Sequence, residues 1–120
     1  LCPQLPKTLP TLDELIGVDG ITEENVHERL LELTRNPLPH GHVFTLHAEI
    51  EGMKLLPILE RLLAGWRSQG YTLTSTRDIY SGLNLPQLPR HEVVRGTLPG
   101  RSGTLMLQGD EFLAAWKTAA

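Results

Sequence analysis

The stretch His42-Val43-Phe44-Thr45-Leu46-His47-Ala48-Glu49-Ile50-Glu51-Gly52 alternates in character and ends in a histidine followed by two carboxylates. In an extended chain Val43, Thr45 and His47 point to one face, and Phe44, Leu46 and Ala48 to the other. A parallel strand buried on both faces is normally apolar throughout. Here one face turns polar toward the C-terminal end of the strand, where α/β folds place their chemistry. The stretch predicts a parallel strand with His47 at its functional end.

Helices are expected on both sides of it. Thr11-Leu-Asp-Glu14 has the form of a capping box for a short helical turn ending at Gly17. Thr22 is placed to cap a second helix, with Ile21 and Val26 spaced as a hydrophobic staple and Val26, Leu30 and Leu33 at helical spacing. Asn36-Pro37 closes it. A third helix is predicted from about Lys54 to Gln69, with Pro57 in its first turn, Leu59, Leu62, Leu63 and Trp66 as its buried stripe, and Gly70 as its stop.

The remaining elements are shorter. Pro3, Pro6 and Pro10 make the opening segment extended or an edge strand. Tyr71-Thr-Leu-Thr74 reads as another alternating strand, and Ser75 as the cap of a helix ending at Gly82. His91 to Leu98 and Thr104 to Gln108 read as two strands of a hairpin appendix (90–108) joined across Pro99-Gly-Arg-Ser-Gly103. A last short helix is expected over Asp110 to Lys117. Strands alternating with helices give an α/β fold: about three parallel strands, a piece of a (β/α) barrel, plus the C-terminal β-hairpin.

Composition narrows the function classes. With 120 residues the chain fits a single domain portion. A net charge of −3 without a cluster of Lys or Arg excludes a nucleic-acid footprint. The one cysteine, Cys2, rules out an internal disulfide. No apolar run reaches membrane-spanning length, because Pro57, Glu60 and Arg61 interrupt Leu55 to Leu63. The chain opens at Leu1 and holds no complete catalytic constellation, so it reads as part of an enzyme.

Three segments carry a resemblance: Thr8-Leu-Pro-Thr-Leu-Asp-Glu-Leu-Ile-Gly17, Phe44-Thr-Leu-His-Ala-Glu-Ile-Glu-Gly52, and Val94-Arg-Gly96 with Gly100-Arg101. From about Gln4 to Leu107 the chain resembles the C-terminal part of the lipid-linked formamido-arabinose deformylases. These are polysaccharide-deacetylase-like (NodB-homology) enzymes of lipid A modification and polymyxin resistance. The resemblance implies a distorted (β/α) barrel with a divalent metal held by an aspartate and two histidines. Those ligands and the general-base aspartate are expected in an N-terminal half outside this chain, which supplies no metal ligand. It further implies that His47 is the general acid toward the leaving amine. The substrate would be an amino sugar on undecaprenyl phosphate, met in the cytoplasm with peripheral contact to the inner membrane. Alone, the chain would be inactive and would self-associate through open barrel edges. Ser102-Gly103-Thr104 stands where members often carry Glu-Gly-Trp, which bears on the substrate pocket.

Each site residue has a chemical rationale. An imidazole gains and loses a proton near neutral pH and so suits protonation of an amine. Glu49 is the expected orienting carboxylate, with Glu51 continuing the same alternation. Glu51, Asp13 and Arg95 are candidate substrate-binding residues, arginine's fork suiting a phosphate, as would that of Arg101. His40 and His42 read as loop histidines, and Trp66 as core. The competing reading is a non-catalytic binding or interaction domain derived from the same barrel, in which His47 would be replaceable.

Overall fold

The structure, a computed structural model, describes residues 2–113. They fall into two compact units, one of residues 7–73 and one of residues 2–6 with 74–113. The elements mix helix and strand.

In the first unit, α1 (Leu12–Leu15) is a single turn, α2 spans Val26–Leu33 and α3 spans Leu56–Ser68. The Glu14 carboxylate accepts the Thr11 backbone N–H at 3.0 Å, as the capping-box spacing predicts. At α2 the Asn25 side chain takes the Thr22 N–H at 2.8 Å, and the Val26 N–H bonds to the Thr22 carbonyl at 3.0 Å. Thr22 thus opens the first hydrogen-bonded turn, one turn before regular helix begins. The core gathers Leu9, Leu12, Val26, Leu30, Leu55, Ile58, Leu62 and Trp66. The expected α3 stripe is therefore rotated: Ile58 lies inside while Leu63 is 37% exposed. Leu33, expected inside on α2, is 36% exposed.

α2 and α3 meet closely at Gly65, where an added Cβ would come within 2.7 Å of both Leu31 methyl carbons. Their C-terminal ends are tied by a polar cluster around the buried Thr34. Thr34 Oγ1 donates to Gln69 Oε1 at 2.7 Å and accepts the Trp66 indole N–H at 3.1 Å. The Thr34 carbonyl accepts the Tyr71 hydroxyl at 2.6 Å, and Gln69 Nε2 donates to the Leu31 carbonyl at 2.7 Å. Gly70, with φ +91°, follows α3 and lets the Tyr71 N–H turn back to the Trp66 carbonyl. Replacing Thr34 by valine keeps the shape but strands the buried indole N–H. The expected cost is about 1–3 kcal/mol, read as a lower urea midpoint at unchanged slope.

The expected parallel strands do not form a ladder among the described residues. Residues 42–47 and 71–75 are extended but carry no strand pairing. The opening segment touches the first of these through one backbone bond, Thr8 N–H to the Val43 carbonyl at 3.0 Å, while the Val43 N–H goes to Thr8 Oγ1 at 2.9 Å. Alternation fixes which side chains share a face, but a strand also needs a neighbouring strand to pair with.

In the second unit, α4 spans Thr76–Ser81, and β1 (Arg90–Gly96) pairs antiparallel with β2 (Leu105–Phe112). The hairpin forms where the turn residues place it, with Gly100 and Gly103 both at φ +77°. β2 is longer than expected: Asp110 lies in the strand, not in a helix, and residues 114–117 of that expected helix lie outside the described residues. Between the pairs His91↔Glu111 and Val93↔Gln108, β2 carries one extra residue. The His91 Nδ1–H donates to the Gly109 carbonyl at 2.9 Å and pins this bulge. No described residue of this unit is fully buried.

Ser75 caps α4 by accepting the Asp78 N–H at 3.2 Å. The Asp78 carboxylate in turn accepts the Ser75 hydroxyl at 2.8 Å and the Thr74 hydroxyl at 3.3 Å. These bonds, Ser75 first, favour the ionised form and hold Asp78 below its ordinary value. The lowered value belongs to the folded state, so its stabilisation is present above the usual carboxylate range and lost as pH falls through it. A carboxyl NMR titration of Asp78 is expected to show a depressed midpoint that rises in Ser75→Ala. An unchanged midpoint would show that the hydroxyl bond does not form.

Candidate functional site

His47 is delivered by the extended run 42–46, which is anchored along its length. His42 is held between the Thr8 hydroxyl, 3.1 Å from Nδ1, and the Asn36 carbonyl, 3.3 Å from Nε2. Its ring meets that of Tyr71 edge to face at 5.9 Å. Phe44 packs edge to face on Trp66, with centroids 5.4 Å apart. His42 is thus a structural histidine rather than a free loop residue.

Past His47 the backbone turns. The His47 carbonyl accepts the N–H groups of Ile50 and Glu51, both at 3.0 Å. A π-helical turn over Ile50–Lys54 follows, closed by the Leu55 N–H on the Ile50 carbonyl at 3.0 Å. Met53, at φ −128° and ψ −106°, breaks the helical run before α3. This turn brings Glu51 back beneath His47. Glu51 Oε2 accepts the His47 backbone N–H at 2.7 Å and lies 4.0 Å from the ring Nδ1.

The two side chains differ sharply in exposure: that of His47 is 33% exposed and that of Glu51 only 1%. His47 Nδ1 and Glu51 Oε1 are both buried, and neither has a hydrogen-bond partner. The Glu51 oxygen 4.0 Å from Nδ1 is Oε2, which already accepts the backbone N–H, while Oε1 is without a partner.

The other expected residues lie elsewhere. Glu49, the expected orienting carboxylate, is exposed; the turn at Ala48 and Glu49 ends the alternation that placed it beside the ring. Asp13 is exposed on α1, while its neighbour Glu14 is buried and bonded to Lys7 Nζ at 2.7 and 2.8 Å. Arg95 is exposed on β1, in the other unit, opposite Met106. Among the described residues no group of three His, Cys, Asp or Glu side chains is placed to hold a metal ion. No helix of the described residues is long and apolar enough to cross a membrane. Sequence reasoning ranked Glu51 below Glu49; the signal that favours Glu51 is the i, i+4 spacing from His47, which a turn makes adjacent.

Comparison with known proteins relates the chain to two longer proteins. Over 109 residues, 90% of the chain, it is 30% identical to the probable 4-deoxy-4-formamido-L-arabinose-phosphoundecaprenol deformylase ArnD of Shewanella sediminis (strain HAW-EB3), covering 34% of that protein. Over 105 residues it is 31% identical to the probable deformylase of the same name from Wigglesworthia glossinidia brevipalpis, covering 36%. The chain spans about a third of the length of the curated relatives it matches. No family model matches the chain, and no solved structure does. The relationship in sequence is to these deformylases, along one part of them.

Proposed function

We propose that this chain is the C-terminal portion of a metal-dependent deformylase of the polysaccharide-deacetylase type. The parent enzyme would remove the N-formyl group from an amino sugar linked to undecaprenyl phosphate. The observation that carries the reading is the match over 90% of the chain to proteins named as such deformylases. The placement of His47, part-exposed at the end of an anchored segment and backed by a buried carboxylate, supports it.

In this proposal His47 acts as the general acid. Water, activated by groups outside this chain, adds to the formamide carbonyl. The carbon–nitrogen bond then breaks as the imidazolium passes a proton to the departing nitrogen, giving formate and the free amine. Nδ1 is buried, so the transferred proton leaves from Nε2. In this reading the metal and its ligands, with the general base, would belong to the remainder of the parent.

The same reading makes the extended segments 42–47 and 71–75 members of a (β/α) barrel whose other strands lie outside this chain. It also gives a reason for the second unit's lack of buried residues, because a two-stranded hairpin is marginal by itself in water. Taken alone, the chain would be inactive and would self-associate through these uncovered surfaces. The parent would work in the cytoplasm, in peripheral contact with the inner membrane where its lipid-linked substrate resides.

The test is a chimera in which this chain replaces the matching third of the Shewanella sediminis relative. Formate release from the undecaprenyl-phosphate-linked formamido sugar is the expected result. A chimera that unfolds cooperatively yet releases no formate, beside an active parent, would leave the non-catalytic binding domain as the better reading.

A further inference from the structure

We infer that Glu51 is the positioning residue for His47: its buried carboxylate pairs with Nδ1–H and so leaves Nε2 as the working nitrogen. The catalytic consequence rests on the deformylase reading; the pairing rests on geometry alone.

A carboxylate almost wholly out of water needs partners for both oxygens. Glu51 has one hydrogen bond, from the His47 backbone N–H at 2.7 Å, and Oε1 has none. Among the described residues, the ionisable cation within ion-pair range is the His47 ring itself, at 4.0 Å from Nδ1 to Oε2. That nitrogen is buried and unpaired as well. Closing by about 1 Å would bring the two groups to hydrogen-bond length. The bond would satisfy the buried Nδ1 and give Oε2 a second donor beside the backbone N–H. Glu51 thus holds both ends of the residue, backbone N–H and ring, within one four-residue turn.

The pairing fixes a tautomer. A carboxylate can only accept, so the neutral ring beside it carries its proton on Nδ1, and Nε2 is the nitrogen that exchanges protons with a leaving amine. Glutamine at 51 preserves the shape and can still accept the His47 backbone N–H. With its amide oxygen in the place of Oε2, glutamine offers Nδ1–H a neutral acceptor instead of a carboxylate, so the charge that holds the proton on Nδ1 is lost. A role limited to capping the turn predicts no penalty for glutamine, so Glu51→Gln separates the two roles.

The decisive measurement is the two-bond nitrogen–proton correlation spectrum of His47 in the 120-residue chain at alkaline pH. The expected result is the Nδ1–H tautomer, shifting to Nε2–H in Glu51→Gln. An Nε2–H ring in the unsubstituted chain overturns the pairing and requires no variant to fold. In the deformylase chimera, Glu51→Gln is expected to lower kcat by roughly 10-fold or more, with KM within about twofold. Retained kcat in Glu51→Gln overturns the positioning role even where the tautomer is as expected. A chimera inactive with Glu51 and His47 both in place defeats the deformylase reading only, and the spectrum still decides the pairing.

Discussion

Alanine at position 47 is expected to lower kcat of the deformylase chimera by about 10²–10⁴-fold, with KM little changed. The departing group in formamide hydrolysis is an amine, and its nitrogen does not depart from the tetrahedral carbon as an anion at neutral pH. Some group must deliver a proton as the carbon–nitrogen bond breaks. In the proposed reading that group is His47, its side chain 33% exposed and its buried Nδ1 4.0 Å from Glu51 Oε2. Acid catalysis acts in the transition state and not in substrate binding, which is why the loss belongs in kcat. Thermal unfolding of His47→Ala, measured beside the unsubstituted chimera, separates loss of the acid from loss of the fold. Glutamine at 47 keeps polarity and a hydrogen-bonding end yet cannot act as an acid, and it should be as impaired as alanine. Near-full turnover in either variant would show that another group protonates the amine. It would return His47 to a structural role.

Much of this was legible in the chain, and the parts that were not share a cause. The turn at Gly70, the cap at Ser75 and the hairpin around Gly100 and Gly103 depend on local backbone demands, which a few residues state by themselves. α3 was readable for the same reason, though its inward face was not. Leu59, Leu62, Leu63 and Trp66 define an apolar stripe, but Ile58 extends it, and close approach of α2 at Gly65 selects the Ile58 side. The parallel strands depend on partners remote in sequence, so alternation over 42–47 could show two faces without showing what lies beside them. A period of two set both Glu49 and Glu51 on the face of His47, with Glu49 the nearer. The backbone turns at Ala48, and from there a period near four is the relevant one. His42 is a loop residue as read, but its anchoring was not visible, because Thr8 lies 34 residues away and the nearby Asn36 holds it through a backbone carbonyl.

The platform beneath the site yields the largest expected stability effect. Trp66→Ala should destabilise the unit of residues 7–73 by about 3–5 kcal/mol, measured as a fall in the urea midpoint of the far-UV signal. Three separate contributions converge on this side chain. Its ring is 7% exposed in the core beside Leu62 and Leu30, so truncation opens a cavity that its neighbours fill only in part. Its edge-to-face contact with Phe44 is the apolar anchor of the segment leading to His47. Its indole N–H is the donor to Thr34, at the junction of the two helix ends. Phenylalanine at 66 divides these contributions: it retains an aromatic ring for Phe44 and most of the core volume, losing the hydrogen bond. It should therefore cost nearer the 1–3 kcal/mol expected for stranding a buried polar partner. A small domain has only about 5–15 kcal/mol in all, so Trp66→Ala should populate the unfolded state measurably at room temperature. If Trp66→Phe were as damaging as alanine, the hydrogen bond to Thr34 would outweigh the packing. If alanine cost under 1 kcal/mol, Trp66 would not be the support of the His47 segment that its contacts describe.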